Sequence, residues 1–163
     1  MQLKFGVMYF FRAPKGVLVT LDERCQNSTW QCPVISKGAR DVTDAILDLF
    51  NPLKNFVETI TFDNGKEFSF HKEVASKLSC DAYFAKPYHS WVRGQNENAN
   101  GLLRQYFPKS MELIEVTRKQ VSDAVHKLNS RPRKCLGYKT PYEVFEELTG
   151  IRQETLIRFS LMT

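Results

Sequence analysis

The chain has 163 residues, of which 42% are hydrophobic and 25% charged, and its net charge is +5. This composition is ordinary for a soluble globular protein, and the length suits one compact domain with a sizeable core. No apolar run reaches the 18 or so residues that a membrane-crossing helix needs, so no membrane partner is expected.

In chain order, residues 2–11 alternate in part, with Leu3, Phe5 and Val7 on one side. With Lys4 inside it and no small-residue cleavage site, this stretch predicts a strand and not a signal peptide. Ala13-Pro14-Lys15-Gly16 predicts a turn, and Val17–Leu21 a second strand. Asp22 through Asn27 predicts a polar turn, and Ser28–Ile35 a third strand. Short turns between three strands imply an antiparallel meander.

Val42, Ala45, Ile46, Leu49, Phe50 and Leu53 then recur at helical spacing, while Asp41, Asp44 and Asp48 fall outside that stripe as solvated residues. A β-branched run, Val57–Phe62, predicts a fourth, buried strand. A helical crossover into it favours a parallel partner in the meander. Residues 70–78 predict a short helix, 81–85 a fifth strand, and 117–129 an amphipathic helix through Val121, Ala124, Val125 and Leu128. Thr140-Pro141-Tyr142-Glu143 is a capping box with Pro at the first helical position, and Gly150 suits the end of that helix. The tail 151–163 begins helical and is loosely tied. The whole pattern is α/β, a five-stranded mixed sheet flanked by helices.

Cys25, Cys32, Cys80 and Cys135 have no zinc-ligand spacing. Without a secretory signal they predict reduced thiols and a cytoplasmic protein.

Two acids stand at informative places. Asp63 follows the fourth strand in the turn Asp63-Asn64-Gly65, and Glu97 lies near the start of a helix, with 33 residues between them. Carboxylates from separate elements that converge suit hard divalent cations, and a metal pair can serve both the attacking and the leaving oxygen of a phosphodiester. A turn Asp and a surface Glu also occur for structural reasons alone.

The wording around the pair carries more. Thr61-Phe62-Asp63-Asn64-Gly65-Lys66-Glu67-Phe68, Tyr83-Phe84-Ala85-Lys86-Pro87-Tyr88, Arg93-Gly94-Gln95-Asn96-Glu97-Asn98, Gly101–Lys109 and Asn129–Tyr138 together resemble the DDE recombinases, and most closely the IS-thirty family of insertion-sequence transposases. The resemblance covers roughly residues 15–150. It implies a ribonuclease H-like fold similar to retroviral integrase cores, with residues 1–150 as the catalytic core and 151–163 as a C-terminal tail. It implies DNA cleavage and strand transfer with two Mg²⁺ or Mn²⁺ ions, Asp63 and Glu97 being the family's second and third acids. Lys66, Arg93, Asn96, Asn100 and Arg104 are the candidate DNA contacts. On the predicted helix, Glu97, Gly101 and Arg104 share a face, Gly101 allowing close approach and Arg104 suiting phosphate.

The family's first acid lies on the first strand, seventeen positions before an Arg that matches Arg24. That position is Val7, preceded by Gly6. Valine cannot bind a metal, and neither Asp22, Glu23, Asp41 nor Asp44 is a convincing replacement. The family's N-terminal helix-turn-helix region has no counterpart, and residues 1–12 need not be homologous. Three readings follow: a transposase catalytic domain impaired at position 7, a non-catalytic DNA-binding or dimerising remnant that associates with itself or a full-length transposase, or a separate metal nuclease of the same fold.

Charge points to the partner. Residues 85–140 hold eleven Lys or Arg against four Asp or Glu, a local +7 that leaves −2 for the rest. Such clustering suits a polyanion, here DNA, as it equally suits a solvated basic face. The expected outcome is weak DNA binding without sequence preference, with log affinity falling by about 0.9 per phosphate contact for each unit of log salt. A salt titration checks it; affinity indifferent to salt, or strong preference for one sequence, contradicts it.

Overall fold

The computed structural model describes residues 3–12, 17–23, 29–34, 38–85, 97–98, 100–112 and 116–155. In β1 and β3, and in most of β2, the description is of the backbone. The strands are β1 (Leu3–Arg12), β2 (Val17–Asp22), β3 (Thr29–Val34), β4 (Val57–Phe62) and β5 (Asp81–Phe84), hydrogen-bonded in the order β3-β2-β1-β4-β5. β1–β2 and β2–β3 are antiparallel, whereas β4 runs parallel to both β1 and β5. Parallel neighbours need a long connection. Helix α1 (Ala39–Phe50) with the 3-10 turn Asn51–Phe56 leads into β4, and α2 (His71–Leu78) leads from β4 to β5. Pro33, which lacks a ladder N–H, sits on the edge strand β3, where that loss is tolerated.

The main core lies around β4. Val57, Ile60 and Phe62 are buried, and Val42, Ile46, Phe50, Leu53, Val74 and Leu78 pack into the same cluster. Asp41, Asp44 and Asp48 are exposed, as their spacing predicts. α1 stops before Pro52, whose ring cannot continue the ladder. Arg40 bridges to Glu73 at 2.9 Å, and Glu73 to Lys77 at 2.9 Å, fastening α1 to α2 at the surface, where such pairs contribute little.

A second cluster joins the Glu97 segment to α3 (Arg118–Asn129). It holds Leu103, Phe107, Val116, Val121, Ala124, Val125 and Leu128. Both α3 and α4 (Pro141–Thr149) open with a complete capping box, Thr117 with Gln120 and Thr140 with Glu143. Gly150 closes α4 at φ 72°, a left-handed conformation that glycine adopts without a Cβ penalty. Among the described residues, no helix is long and apolar enough to cross a membrane.

One expectation changes here. Glu23, predicted within a polar turn, forms a β-bridge after β2 and is fully buried. Asp22, predicted in the same turn, instead ends β2 opposite Thr29, and Glu23 adds a single bridge beyond it.

Tyr142 docks α4 onto α3. It is buried, with its ring 5.6 Å from that of His126. Burial pushes its phenol from the ordinary 10.0 up to about 12, against the opposing hydrogen bond with Asn129. The folded state therefore holds this proton more tightly than the unfolded chain. Stability from this group is complete below the unfolded value and falls as pH rises through the window from 10.0 to about 12. Denaturant midpoints measured across that window check the loss, and Tyr142→Phe should flatten it; an unchanged slope in the variant contradicts the assignment.

Candidate functional site

Asp63 leaves β4 immediately after the buried Phe62 and is half-buried. The Asn64 backbone N–H donates to Asp63 Oδ1 at 2.9 Å, and the Gly65 N–H donates to the Asp63 carbonyl at 2.8 Å. These contacts fix both the turn and the carboxylate rotamer. The turn is also tied to the next strand: Asn64 Nδ2 donates to the Ala85 carbonyl at 2.7 Å, and the Ala85 N–H donates to the Phe62 carbonyl at 2.8 Å. Sequence reasoning read Asn64 only as a turn former, because a contact 21 residues away leaves no local pattern.

Beneath the turn lies an aromatic floor. Phe62 has ring neighbours Phe68 at 5.5 Å and Phe84 at 5.9 Å, and His71 meets Phe84 edge-on at 4.7 Å. His71 is fixed by a 3.0 Å contact from Nδ1 to the Phe68 carbonyl. Glu67 folds back over the turn, so that a Cβ at Gly65 would lie 2.6 Å from its Oε2. This places a second acid against the Asp63 turn, one that the sequence reading passed over.

Position 7 belongs to β1, in the irregular stretch between the Phe5↔Ile60 and Met8↔Phe62 partners. Backbone register therefore sets Val7 across from the last residues of β4, next to the strand exit that delivers Asp63.

Of the remaining candidates, Lys66 is exposed on the short 3-10 turn Lys66–Phe68. Arg93 and Asn96 lie outside the described residues. Glu97 is helical and exposed. Asn100 is half-buried, and among the described residues its Oδ1 meets no hydrogen-bond donor. That orphan is an acceptor; a phosphate would be met by the amide nitrogen of the same side chain.

Arg104 stands at the end of the helix that carries Glu97 and Gly101. Regular helix ends at Leu103; the Arg104 N–H still reaches the Asn100 carbonyl, but Gln105 and Tyr106 bond three residues back. Pro108 forbids continuation, so the last turn tightens. Burial lowers the Arg104 guanidinium pKa from its ordinary value. At Gly101 a Cβ would meet nothing within 4 Å among the described residues, so none of them makes the close approach.

Carboxylates are hard oxygen donors of the kind Mg²⁺ and Mn²⁺ take, so Asp63 and Glu97 have the right chemistry for those ions. Among the described residues, no three His, Cys, Asp or Glu are gathered for a metal.

Known structures share this architecture. The catalytic core domain of BIV integrase superposes with a TM-score of 0.68 at 22% identity, covering 90% of this chain and 95% of that one. A chain of the simian T-cell lymphotropic virus intasome, solved with the PP2A regulatory subunit B56 gamma, gives 0.67 at 15% identity over 88% of this chain and 55% of that one. The fold is thus the ribonuclease H-like α/β fold of integrase catalytic cores. Sequence narrows the relation. The transposase of insertion sequence element IS4351 from Bacteroides fragilis is 48% identical over 134 residues, 82% of this chain and 41% of that protein. Transposase InsI of IS30A from Escherichia coli K12 is 37% identical over 130 residues, 79% of this chain and 34% of that protein. Over the matched stretch the chain is similar to these insertion-sequence transposases, and it spans less than half the length of either. No protein-family model matches it.

Asn64→Ala removes the strut to β5 and leaves the Ala85 carbonyl without that donor. The expected loss is about 1–3 kcal/mol of unfolding free energy, read from denaturant curves. An unchanged midpoint and slope would show that the strut carries no stability.

Proposed function

We propose that the chain is the DNA-cleaving and DNA-joining core of an IS30-type DDE transposase, with residues 1–150 as the core, 151–163 as a tail, and activity impaired at position 7. The observation that supports this most directly is the joint placement of Asp63 at the exit of β4 and of Val7 on the adjacent, parallel β1, within a chain homologous to such transposases. Asp63 and Glu97 would hold Mg²⁺ or Mn²⁺, two ions in an intact relative. When bound, the ions activate a water or a DNA 3′-hydroxyl and stabilise the leaving oxygen.

The chain's own residues do the rest. Asn64 holds the Asp63 carboxylate in one orientation through its backbone N–H, and the turn through its amide. Lys66 and Arg104, with Arg93, Asn96 and Asn100, are assigned to the DNA backbone. The basic segment 85–140 supplies charge along the duplex path. Assembly into a multimer on DNA, with itself or with a full-length transposase in the cytoplasm, completes this reading.

Val7 favours a second reading, a non-catalytic DNA-binding or dimerising protein of the same fold. Removing a ligand lets the reacting geometry drift, and errors of about 1 Å cost roughly 10²-fold in rate. A plasmid-nicking assay with Mg²⁺ or Mn²⁺ separates the readings. The wild type should nick little, Val7→Asp should raise both metal affinity and nicking by about 10²-fold, and Asp63→Asn should abolish the gain. Strong wild-type nicking that needs Asp63 would overturn the reading of position 7; Glu67→Gln then identifies whether the acid folded over the Asp63 turn completes the site.

A further inference from the structure

The loop between α3 and α4 is not used by the proposed chemistry. It is closed on itself: the Arg133 N–H donates to the Lys139 carbonyl at 3.0 Å, and the Tyr138 N–H donates to the Arg133 carbonyl at 3.0 Å. Gly137 and Tyr138 follow one another in left-handed backbone, at φ 63° and φ 66°. Glycine accepts this without penalty, but a tyrosine there is strained. Its ring gains no burial in return, for Tyr138 is 71% exposed and is the most exposed large hydrophobic residue among those described. Strain that displays a side chain instead of packing it is a feature of binding sites.

The surroundings are cationic. Between Asp123 and Glu143 there is no acid, and the stretch carries Lys127, Arg131, Arg133, Lys134 and Lys139. Lys139 is neutralised by Glu147 at 2.6 Å. Arg131 donates to the neutral hydroxyl of Tyr106 at 2.9 Å, a contact that orients its guanidinium and leaves its charge intact. Lys127 lies over the Tyr106 ring at 5.9 Å, an aromatic partner that leaves its charge unneutralised. Lys134 is exposed.

We propose that this loop is a contact for unpaired DNA, with the Tyr138 ring stacking on an exposed base face and Arg131 and Lys134 meeting the flanking phosphates. An exposed ring beside positive charge is the arrangement that binds single strands without reading sequence. Base faces are covered in an intact duplex and uncovered at cleaved or frayed ends. The inference rests on the DNA-processing reading above and adds to it a site for the opened end.

The test compares the whole chain and three variants on a labelled single strand and on a long duplex of the same sequence, by fluorescence anisotropy. Tyr138→Asn removes the ring and suits left-handed backbone, so it folds. It should weaken single-strand binding roughly tenfold and leave duplex binding within about twofold. Tyr138→Phe should bind as the wild type does. Arg131→Gln should lower the salt slope by about one on the single strand. Duplex binding by the wild type with no selective loss in Tyr138→Asn overturns the stacking contact alone, as does an equal loss on both DNAs. A change in oligomeric state without a change in DNA binding overturns it in favour of a protein contact. Failure of the wild type to bind either DNA overturns both this inference and the DNA-processing reading.

Discussion

Everything around the candidate site depends on β4 being held in register from both sides. Its parallel bonds to β1 and β5 and the burial of Val57, Ile60 and Phe62 fix where the strand ends, and so where Asp63 emerges. A slip of one residue would turn the buried set outward, and the core would resist it. The Asn64–Ala85 bond then transfers the rigidity of the sheet to the turn itself. A carboxylate held on a strand exit is better positioned than one on a free loop, and this is where chemistry on this fold would be placed.

Position 7 sets stability against function within the proposed reading. Acids gathered to receive a cation repel one another until it arrives, which weakens the metal-free fold. A β-branched valine suits a strand backbone and brings no charge. The same replacement that removes a ligand therefore leaves a sheet with less internal repulsion. Similarity to transposases and the absence of an acid at position 7 are physically compatible: the core that makes the fold recognisable is apolar, and in the proposed reading the acid would lie outside it.

Much of the fold was legible because it rests on local signals. The β-branched run at Val57–Phe62 and the helical stripe from Val42 to Leu53 encode their own burial, and Thr140-Pro141 announces α4 by capping chemistry. What escaped depends on partners distant in sequence. Glu23 was read as a turn residue because nothing beside it reveals its bridge or its burial. The Asn64 strut spans 21 residues, and the Glu67 carboxylate over Gly65 depends on a side-chain rotamer. At the candidate site, Asp63 and Glu97 could be singled out by their surrounding motifs, while the tightening of the backbone after Leu103, which makes Arg104 the end of its helix, was not read. Pro108 was the available signal, four residues beyond the arginine.

Gly101 offers a way to gauge clearance on the Glu97 helix. A methyl group there touches none of the described residues, and alanine is the better helix former by about 1 kcal/mol. The position thus gives up helical stability without packing among the described residues that would account for it. In the proposed reading, DNA passing over that face is what a side chain there would obstruct. Residues of increasing bulk at this one site would act as a feeler gauge, reporting the thickness of the gap between helix and ligand while the fold beneath stays unaltered.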